Sequence, residues 1–205
     1  ARDALSAAAC ERIAWAPLGP EAHIRGLLDP DWESSLPKRV RYNLRHDREL
    51  VATAGIVSGQ SSWSGIEDAA SELIAKHNIR KGQPDHPEFV RMRHQQWADC
   101  AQAELIVFTA RSPAVTGVET AVVWKDELDL REIGLTGDEG ADRRAAYLDL
   151  VFRQPIAFAR THGLRRIRLG MEVDRVKAGR GAVMQDLYGG VLPASDVRRF
   201  ADEHA

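Results

Sequence analysis

The 205-residue sequence predicts an α/β fold of the α+β kind, in which a mainly antiparallel central sheet is flanked by helices. Three observations predict it. Between Ala103 and Leu135, three aliphatic and β-branched runs follow one another, separated only by Ser112-Pro113 and Asp126-Glu127. Strands joined by such short turns form an antiparallel meander. After the loop Thr136–Asp142, the spacing of Ala146, Leu150, Ile156 and Phe158 marks a helix from Arg143 to Thr161. His162-Gly163 stops that helix, and Leu164–Leu169 then alternates as a strand through Arg166, Ile167, Arg168 and Leu169. A helix on a strand that opens into a Gly-, Lys- and Arg-rich turn is a common place for an α/β protein to put its chemistry.

The other elements follow in order. Alanines from Arg2 to Cys10 favour a short helix. Ile13 and Trp15 alternate within a short strand, Glu11–Leu18, which stops at Pro17-Leu18-Gly19-Pro20. Pro20–Leu28 reads as one or two helical turns, and Asp29-Pro30-Asp31 as a break. Pro37 suits the first turn of a helix running from Lys38 to Leu50, with Leu36, Val40 and Leu44 as its apolar stripe. Val51–Val57 reads as a strand with a bulge at Gly55, and Ser58–Ser64 as a loop. Ser64, with Glu67 three residues on, caps a helix Gly65–Lys76. Asn78–Pro87 is a linker, either a mobile cover or a mere connection, and Glu88–Ala101 is a second helix. Pro155 kinks the long helix. Val183–Leu187 is a last strand, broken at Tyr188-Gly189-Gly190, and Ser195–His204 is a terminal helix.

Composition bounds the function. A chain with 44% hydrophobic and 28% charged residues reads as one globular domain, 1–205, with a helical insertion at about 65–101. The formal net charge of −2 excludes a global basic field for nucleic acid or an anionic membrane. Cys10 and Cys100 are isolated, and the histidines have no metal-ligand spacing. The expectation is therefore a reduced, cytoplasmic protein with no metal. No apolar run has membrane-span length and no signal peptide is visible, while a start at Ala1 leaves a longer parent protein open.

Local charge is another matter. Lys38, Arg39, Arg41, Arg45, His46 and Arg48 outnumber Asp47 and Glu49 along one helix. Two readings stand side by side: a solvated amphipathic face, or a surface that faces the phosphates of a nucleotide, coenzyme or tRNA.

The order of meander, loop, long helix, strand, polar turn and final strand resembles the GNAT acyltransferase fold. The stretch Ala157-Phe158-Ala159-Arg160-Thr161-His162-Gly163-Leu164-Arg165-Arg166-Ile167-Arg168-Leu169-Gly170 sharpens the likeness. With Val176–Ala182 and Leu187-Tyr188-Gly189 it resembles the closing region of the FemAB-like branch of that superfamily. Leu36-Pro37-Lys38-Arg39-Val40-Arg41-Tyr42-Asn43-Leu44-Arg45 is similar to the basic segment those proteins carry near the start of the domain. The resemblance covers half the chain or less. It implies transfer of an acyl or aminoacyl group onto an amine, from aminoacyl-tRNA in Fem-type enzymes or from acyl-CoA in the wider superfamily. Fem-type enzymes usually carry two such domains, so a homodimer mate or a second GNAT-like domain is an implied partner.

CoA-using members cradle the pyrophosphate on a Gln/Arg-x-x-Gly-x-Gly/Ala loop before the helix that follows the meander. Here that loop reads Thr136-Gly137-Asp138-Glu139-Gly140-Ala141-Asp142, with glycines present, no leading Arg, and three acids. Acids beside a pyrophosphate are electrostatically unfavourable, although they suit a bare helix N-terminus.

Aminolysis of an ester or thioester needs an amine, oxyanion stabilisation and a proton for the leaving group. The resemblance places Lys177 where the Fem-type lysine faces the reacting carbonyl; otherwise it is an exposed turn lysine. Tyr188 either donates that proton or packs at a strand end. Arg180, and Asn43 with Arg41, Arg45 and Lys38, either hold donor phosphates or are ordinary solvated groups. Glu172 and Asp174, just past the strand, are bases or surface residues. No Ser or Cys nucleophile constellation is visible, which favours direct transfer. The sequence thus reads as an acyl or aminoacyl transferase acting on a small-molecule or peptide amine, with no permanently bound cofactor and aminoacyl-tRNA as co-substrate. Acyl-CoA dependence and a non-catalytic GNAT-fold binding domain are the alternatives.

Overall fold

The computed structural model describes residues 14–137 and 139–191. They divide into two compact units, one of residues up to Glu21 together with those from Gln185 on, the other Ala22–Met184. The expected helices Arg2–Cys10 and Ser195–His204 lie outside the described residues.

The larger unit is a sheet covered by helices on both faces. Its strands are β1 (Ala14–Arg25), of which residues from Ala22 belong here, β2 (Val57–Ser62), β3 (Ala103–Arg111), β4 (Thr116–Trp124), β5 (Glu127–Leu135) and β6 (Arg166–Arg168). They lie side by side in the order β2-β3-β4-β5-β6-β1. Within this unit every neighbouring pair is antiparallel except β5 with β6, which is parallel. The expected meander is thus present, and the sheet is mainly antiparallel. The helices are α1 (Trp32–Ser35), α2 (Lys38–Thr53), α3 (Trp63–Arg80), α4 (Pro87–Ala98), α5 (Ala141–Leu148), α6 (Gln154–Thr161) and α7 (Asp174–Ala178). In the smaller unit the residues of β1 up to Glu21 neighbour those of β7 (Val183–Val191) from Gln185 on.

Strand alternation sorts the core into two layers. Leu105, Val107, Val118 and Val122 point to one face and pack with Trp63, Leu73, Ile74 and Val90 of α3 and α4. Phe108, Ala110, Ala121, Leu128 and Leu135 point to the other, against Leu148, Leu150, Phe152 and Phe158. Burial of this apolar area drives the assembly at roughly 25 cal/mol per Å². Gly134 permits one close approach, since a Cβ there would lie 2.7 Å from the Ile74 backbone nitrogen.

Several local expectations fail for identifiable reasons. Pro20–Arg25 is strand, not helix: Ala22 and Ile24 are fully buried, and His23, Ile24 and Arg25 pair with Arg168, Ile167 and Arg166. Val51–Thr53 end α2 rather than opening a strand, because Leu44, Asp47 and Val51 continue one buried stripe. Gly55, at φ +61°, is the left-handed terminator of that helix, and the Ile56 N–H bonds the Val51 carbonyl across it. The expected loop Ser58–Ser64 is mostly β2, whose polar side chains do not prevent six residues pairing with β3. α3 begins at Trp63 and runs on to Arg80, so the first three residues of the expected linker are helix. The polar turn after β6 contains α7, and β7 continues through Tyr188-Gly189-Gly190.

The disturbance expected at Pro155 takes the form of a π-helical turn, Asp149–Arg153, joining α5 to α6. Proline has no N–H and its ring crowds the carbonyl four residues back, and a wider turn relieves both. Asp149, fully buried there, accepts from Ser58 Oγ (2.7 Å), Gln154 Nε2 (2.7 Å) and Arg153 Nε.

Candidate functional site

Where β5 ends and α5 begins, the larger unit holds a cavity of about 360 Å³ lined by His77, Lys81, Leu135, Glu139, Gly140, Arg143, Arg144, Tyr147 and Val173. Its polar wall comes from two places. His77 is on the last turn of α3 and Lys81 follows it, so helical spacing puts both on one face. Arg143 and Arg144 stand on the first turn of α5, where the helix dipole already favours an anion. Arg80 secures the loop between, donating to the carbonyls of Gly137 (3.2 Å) and Leu135 (3.1 Å).

Positive charge dominates this cavity. Lys81, Arg143 and Arg144 face a single lining carboxylate, Glu139. Burial, then the charges of Lys81, Arg143 and Arg80, push the His77 imidazole down to about 4. Arg143 Nη2 lies 3.4 Å from His77 Nδ1, and because a guanidinium only donates, Nδ1 is the acceptor. Arg143 Nε is buried with no hydrogen-bond partner among the described residues. An unmet buried donor in a cationic cavity at a helix N-terminus suits a phosphate or carboxylate.

Beside this wall lie two buried polar side chains, Glu119 and Lys177, and the half-buried Tyr147. Glu119 sits between Val118 and Thr120, both of which point toward α3 and α4, so alternation turns it to the face covered by α5. It is 4% exposed, and no side-chain hydrogen bond or ion pair holds it among the described residues. Burial, then Glu132, pushes its carboxyl well above the usual range, while Lys177 and Lys81 pull it back. Tyr147, in the cavity wall, has its phenol pushed up to about 12, by burial first and then by Glu119.

Lys177, on α7, is also 4% exposed. Its ammonium donates to the carbonyls of Met171 (2.7 Å) and Gly170 (3.0 Å). Those carbonyls belong to a turn in which Gly170, Glu172 and Val173 have φ of +72°, +67° and +56°. Left-handed non-glycine residues cost on the order of 1–3 kcal/mol each, and Val173, being β-branched, is the more strained.

The remaining sequence-predicted residues are distributed as follows. Asn43 Nδ2 donates to the Gly179 carbonyl at 2.8 Å, and Arg180 grips Asp47, so α2 is tied to the segment carrying Lys177. Arg180 Nη1 donates to the Val176 carbonyl and its guanidinium lies over the Phe152 ring. Lys38, Arg41 and Arg45 are exposed on α2. Arg41 reaches the Ser34 carbonyl, and Arg45 lies near Tyr42 and Glu49. Glu172 and Asp174 are exposed. Tyr188 belongs to the smaller unit and is 41% exposed. Sequence reasoning missed His77, Lys81, Arg143, Arg144, Tyr147 and Glu119. The available signals were the Arg-Arg pair after the acidic loop, the four-residue spacing of His77 and Lys81, and a Glu within an apolar strand.

A larger cavity, about 440 Å³, lies among Trp32, Leu44, Leu148, Phe152 and Ile156. It is apolar, and the arginines at its edge are already engaged: Arg48 with Glu33, Arg160 with the carbonyls of Asp29 and Pro30. Among the described residues no group of three or more His, Cys, Asp or Glu could hold a metal, and no helix is long and apolar enough to cross a membrane.

No family model matches the chain, and no curated protein matches its sequence. Solved structures do. A conserved protein of unknown function from Bacteroides thetaiotaomicron superposes with a TM-score of 0.59 at 12% identity, over 93% of this chain and 66% of that one. FemX superposes with a TM-score of 0.58 at 10% identity, over 88% of this chain and 63% of that one. The chain thus has a mixed, mostly antiparallel α+β fold similar to that of FemX, and spans under two thirds of the length of either neighbour.

Proposed function

We propose that this chain is an acyl or aminoacyl transferase that forms an amide bond by direct aminolysis of a phosphate-bearing donor. The cationic cavity carries the reading. Lys81, Arg143 and Arg144 with an unmet Arg143 Nε suit the donor's phosphates, next to the strained turn that holds the Lys177 ammonium. The resemblance to FemAB-like proteins assigns Lys177 to the developing oxyanion, and the likeness of fold to FemX agrees with that branch.

Aminoacyl-tRNA is the first donor, because the exposed Lys38, Arg41 and Arg45 of α2 offer further phosphate contacts. The acceptor is a small-molecule or peptide amine. The greater length of both neighbours leaves room for a second GNAT-like domain or a homodimer mate beside this chain. Acyl-CoA is the second reading, favoured by the place of the cavity at the start of the first helix after the meander.

The test is binding of aminoacyl-tRNA, CoA and acetyl-CoA to wild type, to Lys38→Glu/Arg41→Glu/Arg45→Glu, and to Lys81→Glu/Arg144→Glu. The first reading predicts salt-steep tRNA binding weakened by both variants. CoA binding lost only in Lys81→Glu/Arg144→Glu transfers the assignment to the second. No binding of any of the three, together with no amide product, overturns both.

A further inference from the structure

We infer that the apolar cavity of about 440 Å³ is a second ligand site, one that takes a small amphiphile with an apolar body and a single carboxylate. The inference does not rest on the transferase reading. The cavity lies between α1 and α2 on one side and the helical run from α5 to α6 on the other. Its size falls within the roughly 300–1,000 Å³ of small-molecule sites. Trp32, Leu44, Leu148 and Phe152, all buried, form its depth. Arg48, Ala157, Arg160 and Thr161 are exposed and form its opening. Walls that offer a water molecule few polar partners leave such a space to an apolar guest.

The charges around the opening select the head group of that guest. Arg48 is met by both carboxylate oxygens of Glu33, Arg153 by Asp149, and the lining carboxylate Asp47 by Arg180. Arg160 is different. Its guanidinium donates to the carbonyls of Asp29 (3.2 Å) and Pro30 (3.3 Å) and makes no ion pair among the described residues. Those carbonyls hold the side chain in place and leave its charge unneutralised. Glu33 feels that charge, but its oxygens are taken by Arg48. One uncompensated guanidinium beside an apolar space fits one carboxylate, whose two oxygens match its forked N–H groups. A cationic or doubly charged head finds no such match.

This site is distinct from the cationic cavity, although the two share a partition. Tyr147 lines the cationic cavity and Phe152 the apolar one, and their rings meet edge to face with centroids 6.3 Å apart. Phe152 also lies under Arg180, whose guanidinium carbon is 5.3 Å from the ring centroid. No lining residue is common to the two cavities, so a carboxylate held by Arg160 does not draw on Lys81 or Arg144.

Calorimetric titration of the whole chain with decanoate, decanol and decyltrimethylammonium, each below its micelle concentration, tests the site. Decanoate should bind one to one, about threefold to fivefold tighter than decanol, and the cation should bind weakest. Arg160→Gln should abolish the preference for decanoate while leaving decanol binding as it is, and Arg160→Lys should retain it. Ile156→Trp places a large ring in the apolar space and should remove binding of both. Ala157→Phe, at the exposed opening, takes its place if Ile156→Trp fails to fold. Lys81→Glu/Arg144→Glu should bind decanoate as wild type does. Decanoate binding no tighter than decanol, or a preference that survives Arg160→Gln, overturns the carboxylate assignment. Binding of neither compound, binding untouched by the filling variants, or binding lost in Lys81→Glu/Arg144→Glu overturns the site itself.

Discussion

Asp47 and Arg180 form a buried two-point ion pair, with Arg180 Nε 2.6 Å from Asp47 Oδ2 and Nη2 2.9 Å from Oδ1. It joins α2 to the segment that carries Lys177. Both partners are buried, so removing one strands the other's charge in a poor solvent. Asp47→Ala should destabilise the fold by about 3–5 kcal/mol. Replacing both residues with apolar ones of similar volume should be far milder, and urea unfolding of the single and double variants checks the contrast.

Lys177→Met retains the bulk of the side chain and removes the ammonium. The carbonyls of Gly170 and Met171 lose their donor, which should cost about 1–3 kcal/mol of stability. If the ammonium also stabilises the oxyanion, transfer should fall about 10²-fold or more, measured under conditions where the variant is still folded.

His77 makes stability depend on pH. Its folded value is about 4 against an ordinary 6.5, so between those limits the unfolded chain binds a proton that the folded chain refuses. Stability is therefore complete above about pH 6.5 and declines as pH falls toward 4. His77→Gln should flatten that part of the profile in a pH series of chemical denaturations. An anion in the cavity should raise the His77 value, so tRNA or CoA binding should take up protons and tighten as pH falls.

Gly134 lies under α3 with no room for a methyl group, the nearest obstacles being backbone atoms of Leu73 and Ile74. Backbone in a packed helix cannot yield as a flexible side chain does. Gly134→Ala should destabilise by about 1–3 kcal/mol, read as a lower thermal midpoint.

The parts of the fold most legible in the sequence are those in which local pattern and tertiary demand agree. Leu105, Val107 and Phe108 with Val118 and Val122 announce strands, and the two short turns announce their antiparallel order. β2 was hidden because Ser58-Gly59-Gln60-Ser61-Ser62 has loop composition and becomes strand only by pairing with β3. Val51 and Thr53 misled in the opposite sense, their branched side chains suggesting a strand where a buried helical stripe prevails. The site was legible only in part. Lys177, Asn43 and Arg180 do converge, though the last two are bound to the Gly179 carbonyl and Asp47. The cavity itself draws His77, Lys81, Arg143 and Arg144 from two helices far apart in sequence, which no local spacing reveals.

The pairing of His23, Ile24 and Arg25 with β6 bears on how the chain comes together. The meander closes through neighbours in sequence and can form early. The β1 segment must wait for a strand synthesised more than a hundred residues later, at a considerable price in loop-closure entropy. Until Arg166–Arg168 arrives, Ala22 and Ile24 remain uncovered, and so does the edge of β5 that β6 occupies. The last strand pair to assemble thus adjoins the crossover that frames the cavity. That strand pair is drawn from the first and last parts of this unit of the chain.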